Sequence, residues 1–138
     1  LFFSTKIQDK LIELDTDESR HLTKSLRIDG VVTSIRLETF FWDILEELSF
    51  RDQMTVNQMI TKLYHESLDA DHDISNFTSF LRVCASRYLS LIADGELTRE
   101  DNTALKDINA PNILGQESLR RSQRQLRFTP ATHKNSIN

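Results

Sequence analysis

Alternating polar and basic side chains single out one short stretch of this 138-residue chain for nucleic-acid chemistry. Val32, Ser34 and Arg36 are two residues apart, a spacing that puts their side chains on one face of an extended strand, about 7 Å from one to the next. A guanidinium such as that of Arg36 can bond guanine O6 and N7, the Ser34 hydroxyl can donate or accept, and Val32 can touch a thymine methyl group. These are the side-chain types that read base edges in the major groove of DNA.

The strand that carries these residues is part of a predicted β-hairpin. Asp29-Gly30 lies between two alternating segments, and this dipeptide predicts a two-residue type I′ turn, which needs positive φ at both central positions. The predicted cross-strand pairs are Ile28 with Val31, Leu26 with Thr33, and Lys24 with Ile35. One face is then apolar, with Leu26, Ile28, Val31, Thr33, Ile35 and Leu37, and the other is polar and basic, with Ser25, Arg27, Val32, Ser34 and Arg36.

Apolar residues at helical spacing predict three helices after the hairpin. The first covers residues 39–49 and the third covers residues 76–92. The second begins at Thr55-Val56-Asn57-Gln58, where Thr at the N-cap and Gln at N3 form a capping box that satisfies two backbone amides. The sequence therefore predicts a mainly α fold with a short β-ribbon.

Charge is distributed unevenly along the chain. The formal net charge is −4, which by itself argues against a nucleic-acid partner. Residues 24–37, however, contain three basic residues and one acidic residue, whereas residues 38–97 contain four basic and eleven acidic residues. A basic ribbon on an acidic body can still bind phosphate, and the acidic remainder disfavours unspecific adsorption.

The sequence predicts one domain with extensions at both ends. Residues 1–23 form an N-terminal extension, residues 24–92 the domain, and residues 93–138 a flexible basic C-terminal tail. Arg120, Arg121, Arg124 and Arg127 cluster in that tail. No apolar run is long enough for a membrane span, and a single cysteine, Cys84, fits a reducing cytoplasm.

Nothing in the sequence predicts catalysis, a cofactor or a metal site. There is no phosphate-binding glycine loop, and Cys84 has no histidine near it in sequence. Residues 69–73 begin like a calcium loop, but Ile74 stands where Gly is needed and Phe80 where a bidentate Glu is needed. We interpret this segment as a solvated acidic loop and the protein as a non-enzyme.

Together, these segments resemble the ribbon-helix-helix DNA-binding family, in particular a bacterial subgroup. The resemblance covers residues 24–92 and departs from the family pattern at Gln53, where the loop between the first two helices often has Gly. The matching segments are Ser25-Leu26-Arg27-Ile28-Asp29-Gly30, Thr33-Ser34-Ile35-Arg36-Leu37-Glu38, Phe41-Trp42-Asp43 with Leu45, and Asn76-Phe77-Thr78-Ser79-Phe80-Leu81-Arg82-Val83.

The resemblance implies an intertwined homodimer with an added third helix, in which the two protomers' strands pair antiparallel and enter the major groove of double-stranded DNA. Val32, Ser34 and Arg36 match the family's base-contacting positions. The residues expected to contact DNA phosphates are Lys24, Arg27, Thr55, Val56 and Asn57, of which the last three match the start of the family's second helix.

These observations favour a cytoplasmic transcriptional repressor that binds DNA as a dimer, with two dimers side by side on an operator. An alternative is an antitoxin-like or other interaction module whose C-terminal tail binds a protein partner. The two hypotheses are compatible, since one protein can carry both activities.

Overall fold

The computed structural model describes residues 20–69, 76–100, 104–105 and 110–129. In these ranges two strands precede four helices: β1 (His21–Ile28), β2 (Val31–Glu38), α1 (Thr39–Arg51), α2 (Val56–Asp69), α3 (Phe77–Ala93) and α4 (Ala110–Phe128). The chain divides into two compact units, one up to Ser86 and one from Arg87 onward. The predicted fold class, mainly helical with a short β-ribbon, is confirmed.

The two strands form the predicted hairpin. Asp29 (φ 52°) and Gly30 (φ 83°) both have positive φ, as a type I′ turn requires. All three predicted cross-strand pairs are present in the antiparallel register, which runs from Ile28 with Val31 to His21 with Glu38. β1 begins at His21, inside the segment assigned by sequence to the N-terminal extension, because residues 21–23 still pair with the end of β2.

The hairpin has one face on the core and one in solvent. Ile28, Ile35 and Leu37 are buried, while the alternate residues of both strands are exposed. Val31, predicted on the apolar face, remains 65% exposed. It is the first residue after the turn, at the tip of the hairpin.

Helix α1 packs its apolar stripe beneath the sheet. Trp42, Ile44, Leu45 and Leu48 are buried, as the helical spacing predicts. The helix ends in a Schellman motif, in which the Met54 N–H bonds Ser49 O (2.9 Å) and the Gln53 N–H bonds Phe50 O (3.1 Å). Gln53 has φ 57°, so a glutamine adopts the left-handed conformation for which the family often uses Gly.

Helices α2 and α3 complete the first unit. The predicted capping box is present, since the Gln58 N–H donates to Thr55 Oγ1 (3.1 Å) and the Thr55 N–H donates to Gln58 Oε1 (2.9 Å). Met59 and Ile60 of α2 are buried. The buried residues of α3 in this unit are Phe77, Leu81 and Ala85.

The second unit contains the end of α3, a turn and α4. The turn has Gly95 at φ 81°, and three ion pairs join α4 to this part of the chain. They link Arg87 to Glu117 (2.6 Å), Arg120 to Glu96 (2.8 Å) and Arg124 to Asp94 (2.7 Å). The segment that composition assigned to a flexible basic tail thus contains a 19-residue helix, two of whose arginines are paired with carboxylates.

Some sequence predictions concern residues outside the described ranges, namely most of the N-terminal extension, residues 70–73 of the acidic loop, and residues 101–103, 106–109 and 130–138 of the predicted tail. In the ranges that are described, no group of three or more His, Cys, Asp or Glu side chains is arranged to hold a metal ion. No helix among the described residues has the length and apolar character needed to cross a membrane.

Candidate nucleic-acid interface

The solvent face of β2 presents the three predicted base-contacting residues in one row. Val32, Ser34 and Arg36 are all exposed, and they alternate with Ile35 and Leu37, whose burial holds the opposite face of the strand on the core. The row is therefore fixed by packing beneath it, while its own side chains are available to a ligand.

A second row lies beside the first, on β1. Antiparallel pairing places Thr23 opposite Arg36, Ser25 opposite Ser34 and Arg27 opposite Val32, and directly paired residues share a face of the sheet. Arg27 is exposed, and its Nη1 donates to Gly30 O at 3.3 Å, which holds the guanidinium near the turn. The solvent face of the hairpin is thus two residues wide.

The outer backbone edge of β2 is open. Ile28 and Val31 flank a two-residue turn and so form a hydrogen-bonded pair, and the antiparallel alternation then points the N–H and C=O groups of Val32, Ser34 and Arg36 away from β1. Among the described residues, no other element bonds these backbone groups. This edge can therefore accept another strand.

The outer edge of β1, in contrast, is occupied at its turn end. There the Arg27 N–H donates to Asn57 Oδ1 (3.0 Å) and Asn57 Nδ2 donates to Arg27 O (2.8 Å), so that one side chain occupies the place of a neighbouring strand. At the far end of the hairpin, Arg20 O accepts from both the backbone N–H (2.7 Å) and the hydroxyl (2.6 Å) of Thr39, which continues the ladder between the strands by one pair. Trp42 Nε1 donates to Leu22 O (2.8 Å), which ties β1 to α1 beneath the sheet.

Lys24 lies on the opposite face from the base-contacting row. Its Nζ is 3.1 Å from Glu46 Oε1 and 4.8 Å from the centre of the Trp42 ring. Both contacts hold it between the sheet and α1. The expected phosphate contact of Lys24 stays a prediction, and the geometry groups this lysine with the supporting helix.

The start of α2 lies beside the hairpin because two side-chain contacts tie them together. One is the Asn57 contact with Arg27, and the other is between His65 Nε2 and Asp29 Oδ1 (3.0 Å). The backbone amides of Val56 and Asn57 stand at the positive end of the helix, where anions bind favourably. The Asn57 side chain is engaged with β1, so only its backbone is left for a phosphate.

The carboxylate at the end of β2 is neutralised by α3. Arg82 donates from Nε to Glu38 Oε2 and from Nη2 to Glu38 Oε1, both at 2.9 Å. This bidentate hydrogen bonding lowers the pKa of Glu38 from 4.5 to about 2. Glu38 follows Arg36 by two residues, so without Arg82 its charge would oppose an approaching phosphate.

An apolar groove of about 420 Å³ lies along the core face of the hairpin, next to the open edge of β2. It brings together the tip of the hairpin, one aromatic residue of α2 and the first turn of α3. The lining residues are Ile28, Asp29, Val31, Thr33, Ser34, Ile35, Tyr64, Phe77 and Thr78.

Sequence reasoning found the β2 row and the capping box but missed two features. It assigned Asn57 to phosphate through its position, whereas its side chain holds β1 in place. It also gave no role to Tyr64 at the groove. Both features depend on contacts between segments far apart in sequence.

Comparison with known proteins agrees with this architecture. The chain matches the model of the ribbon-helix-helix domain over residues 21–89. It is also similar to the solved structure of an uncharacterized protein from Bordetella pertussis Tohama I, with 35% identity over 92% of each chain and a TM-score of 0.72. No curated protein matches the chain. The chain therefore belongs to the ribbon-helix-helix domain family, whose members are DNA-binding transcription regulators.

Proposed function

We propose that this protein is a transcriptional repressor that binds specific DNA sequences as a homodimer, with the paired β2 strands in the major groove. The observation that carries the proposal is the exposed β2 row beside an open backbone edge. The proposal places the protein in the cytoplasm, with double-stranded DNA as its partner and two dimers side by side on an operator.

Base recognition is assigned to the three exposed side chains of β2. Arg36 presents a planar fork of donors suited to guanine, the commonest specific contact in protein–DNA complexes. Ser34 lies one step further along the row, and Val32 offers methyl groups near the turn. When two β2 strands pair antiparallel, each protomer contributes the same three side chains. The base-contacting residues then form a two-fold symmetric set suited to a palindromic site.

Phosphate contacts are assigned to Arg27 and to the backbone amides at Thr55, Val56 and Asn57. The exposed Arg27 side chain lies at the turn end of β1, and the helix start is joined to the same strand through Asn57. These groups would set the register of the ribbon on the duplex without reading its sequence. Lys24 is left out of this set because Glu46 and Trp42 hold it on the core face.

Dimerisation through β2 is supported by the unequal edges of the hairpin. The β2 edge offers the outward-facing backbone groups of Val32, Ser34 and Arg36, whereas Asn57 occupies the turn end of the β1 edge. The apolar groove next to the β2 edge gives a second protomer a surface to cover. Both features lie on the same side of the hairpin, which favours pairing of β2 with its own copy.

A binding experiment with matched arginine variants tests the proposal. Duplexes are selected from a random-sequence library with the full chain, and affinity for selected and random duplexes is measured by fluorescence anisotropy. We expect Arg36→Ala to lose about 1–3 kcal/mol on selected duplexes, or about 5- to 150-fold, because a bidentate base contact is removed. Arg121→Ala, an exposed arginine of α4, is the control.

The results separate base recognition from general affinity. Loss of discrimination in Arg36→Ala, with unchanged thermal unfolding, supports the proposal. Equal affinity of Arg36→Ala and wild type for the selected duplexes would remove β2 from the recognition site. Failure of the wild type to enrich any duplex would refute sequence-specific binding altogether.

A second candidate function, capture of a protein partner by the C-terminal region, is favoured by the apolar side chains that α4 exposes. Leu119, Leu126 and Phe128 are all exposed, and the first two are seven residues apart, on one helix face. Because Arg120 and Arg124 are already paired, this partner would be recognised through apolar contacts. A co-purifying partner that is lost in Leu119→Ser/Leu126→Ser, with DNA affinity unchanged, would establish this second role.

A further inference from the structure

The solvent-facing row of β1 consists only of hydrogen-bond donors. His21, Thr23, Ser25 and Arg27 alternate along the strand, and all four are exposed. Hydroxyl and guanidinium groups bond phosphate oxygens in protein–DNA complexes, and no carboxylate interrupts the row. His21 Nε2 lies 3.3 Å from Glu38 Oε1, so Thr23, Ser25 and Arg27 are the donors that face a ligand. This composition extends the polar face of the hairpin beyond the β2 row.

The width of the sheet determines where this row meets a duplex. If two hairpins pair through β2, the strands are ordered β1-β2-β2-β1, with neighbouring strands about 4.8 Å apart. The two β2 strands fit within a major groove about 12 Å wide, but each β1 lies about 7 Å from the dimer axis, just beyond half the width of the groove. The β1 row therefore meets the rims of the groove, where the sugar–phosphate backbones run.

The structure fixes β1 in this position. Asn57 bonds the backbone of Arg27 on both its N–H and its C=O, and Trp42 bonds Leu22 O from below. The row is thus joined at one end to α2 and at the other to α1. A rigid row costs little conformational entropy when it docks on a surface.

Electrostatics at the row also suit a polyanion. The nearest carboxylate along its strand pair is Glu38, opposite His21, and its charge is balanced by Arg82. Asp29 in the turn is paired with His65. Glu38 is therefore ion-paired and Asp29 hydrogen-bonded, so each carboxylate that borders the row has a partner.

We propose that the outer row of β1, centred on Thr23 and Ser25, contacts the DNA phosphates on both rims of the major groove and supplies sequence-independent affinity. This inference rests on the DNA-binding function proposed above. It adds to that function a second part of the interface, on either side of the β2 pair, and so gives β1 a role in DNA binding.

Opposite charges introduced at one exposed position test the inference. Ser25→Lys adds one cation per protomer and Ser25→Glu one anion, while Ser79→Lys and Ser79→Glu make the same changes at an exposed site on α3. Binding of the full chain to two unrelated random-sequence 30-bp duplexes is measured between 50 and 200 mM NaCl. Arg36→Ala is measured in parallel on selected duplexes.

We expect Ser25→Lys to strengthen binding to both random duplexes equally. Two added phosphate contacts per dimer steepen the dependence of log affinity on log salt concentration by about 1.8. The loss of affinity between 50 and 200 mM NaCl is then about 12-fold larger than in the wild type. Ser25→Glu weakens binding to both duplexes. The Ser79 pair shifts binding far less, because charges beyond about 10 Å are screened at these salt concentrations.

The outcomes distinguish this inference from the function on which it rests. Equal effects at Ser25 and Ser79, or no effect at Ser25, would overturn the β1 contact. If Arg36→Ala still loses affinity for the selected duplexes in that case, the proposed function stands without this inference. If wild type binds neither random nor selected duplexes, both the function and the inference fail. An effect of Ser25→Lys confined to one duplex would assign the position to base recognition and would also overturn the inference.

Discussion

Replacement of Asn57 by alanine is the change that most directly tests how the hairpin is held on the helices. Arg27 and Val32 form a non-hydrogen-bonded pair, so the N–H and C=O of Arg27 point away from β2. Their partner is the Asn57 side chain, at 3.0 and 2.8 Å. Asn57→Ala removes both hydrogen bonds and leaves α2 otherwise unchanged.

The expected loss of stability follows from these two contacts. Each hydrogen bond contributes about 0.5–1.5 kcal/mol net, and water can replace part of that at this exposed edge. The higher helix propensity of alanine offsets about 0.5 kcal/mol of this loss of stability. We therefore expect the free energy of unfolding to fall by about 1–2 kcal/mol.

Two measurements check this prediction. Urea unfolding is followed by the fluorescence of Trp42, the single tryptophan of the chain, which is 1% exposed and lies under the hairpin. Amide hydrogen exchange then isolates the contact, since Arg27 should lose protection in Asn57→Ala while Leu26, bonded within the ladder, keeps it. Glu66→Ala, at an exposed position of the same helix, is the control for helix propensity.

Either of two results would refute the reasoning. If the Arg27 amide exchanges freely in the wild type, Asn57 does not occupy the edge. If Asn57→Ala and Glu66→Ala unfold at the same urea concentration, the two hydrogen bonds contribute nothing to stability, and β1 is held by the sheet alone.

Three further predictions concern the ends of elements and the core. The lowered pKa of Glu38 means that its contact with Arg82 stabilises the fold above pH 4.5 and is lost as the pH falls toward 2. We expect Glu38→Gln to lower the free energy of unfolding at pH 7 by about 1–2 kcal/mol, after allowance for solvent screening. The stability of this variant should also depend less on pH in the same range. Gln53→Gly should stabilise the fold by about 0.5–1 kcal/mol, because glycine adopts the left-handed conformation without strain. Gly95→Ala should destabilise the fold by about 1 kcal/mol, a purely backbone cost since a Cβ there meets nothing within 4 Å. Thermal unfolding followed by circular dichroism should show a higher melting temperature for the first variant and a lower one for the second. Trp42→Phe should cost about 2 kcal/mol in urea unfolding monitored by circular dichroism, since it removes a buried hydrogen bond to Leu22 O and leaves a cavity.

The features predicted from sequence are those that neighbouring residues determine. The Asp29-Gly30 turn sets the register of the hairpin, and Thr55 with Gln58 sets the start of α2. In each case the physical signal, a positive φ or a reciprocal cap, lies within a few residues. The β2 row followed from the same local alternation.

Features that depend on distant contacts were not predictable in the same way. Arg27 and Asn57 are 30 positions apart, as are Arg124 and Asp94. Composition alone made residues 93–138 a basic tail, because nothing local shows that carboxylates in the turn would pair with the arginines of α4. Lys24 was assigned to phosphate by its charge; its place on the core face already follows from its predicted pairing with Ile35, and only its contacts with Trp42 and Glu46 needed the structure.

The hairpin also has a consequence for assembly. Its strands pair within one chain, between residues no more than 17 positions apart, so the ribbon can close in microseconds, before two protomers meet. A single strand that must find its partner in a second molecule ties folding to protein concentration. Here β2 is already paired with β1 within the protomer, so we expect subunits to exchange between dimers without unfolding, at a rate set by dissociation alone.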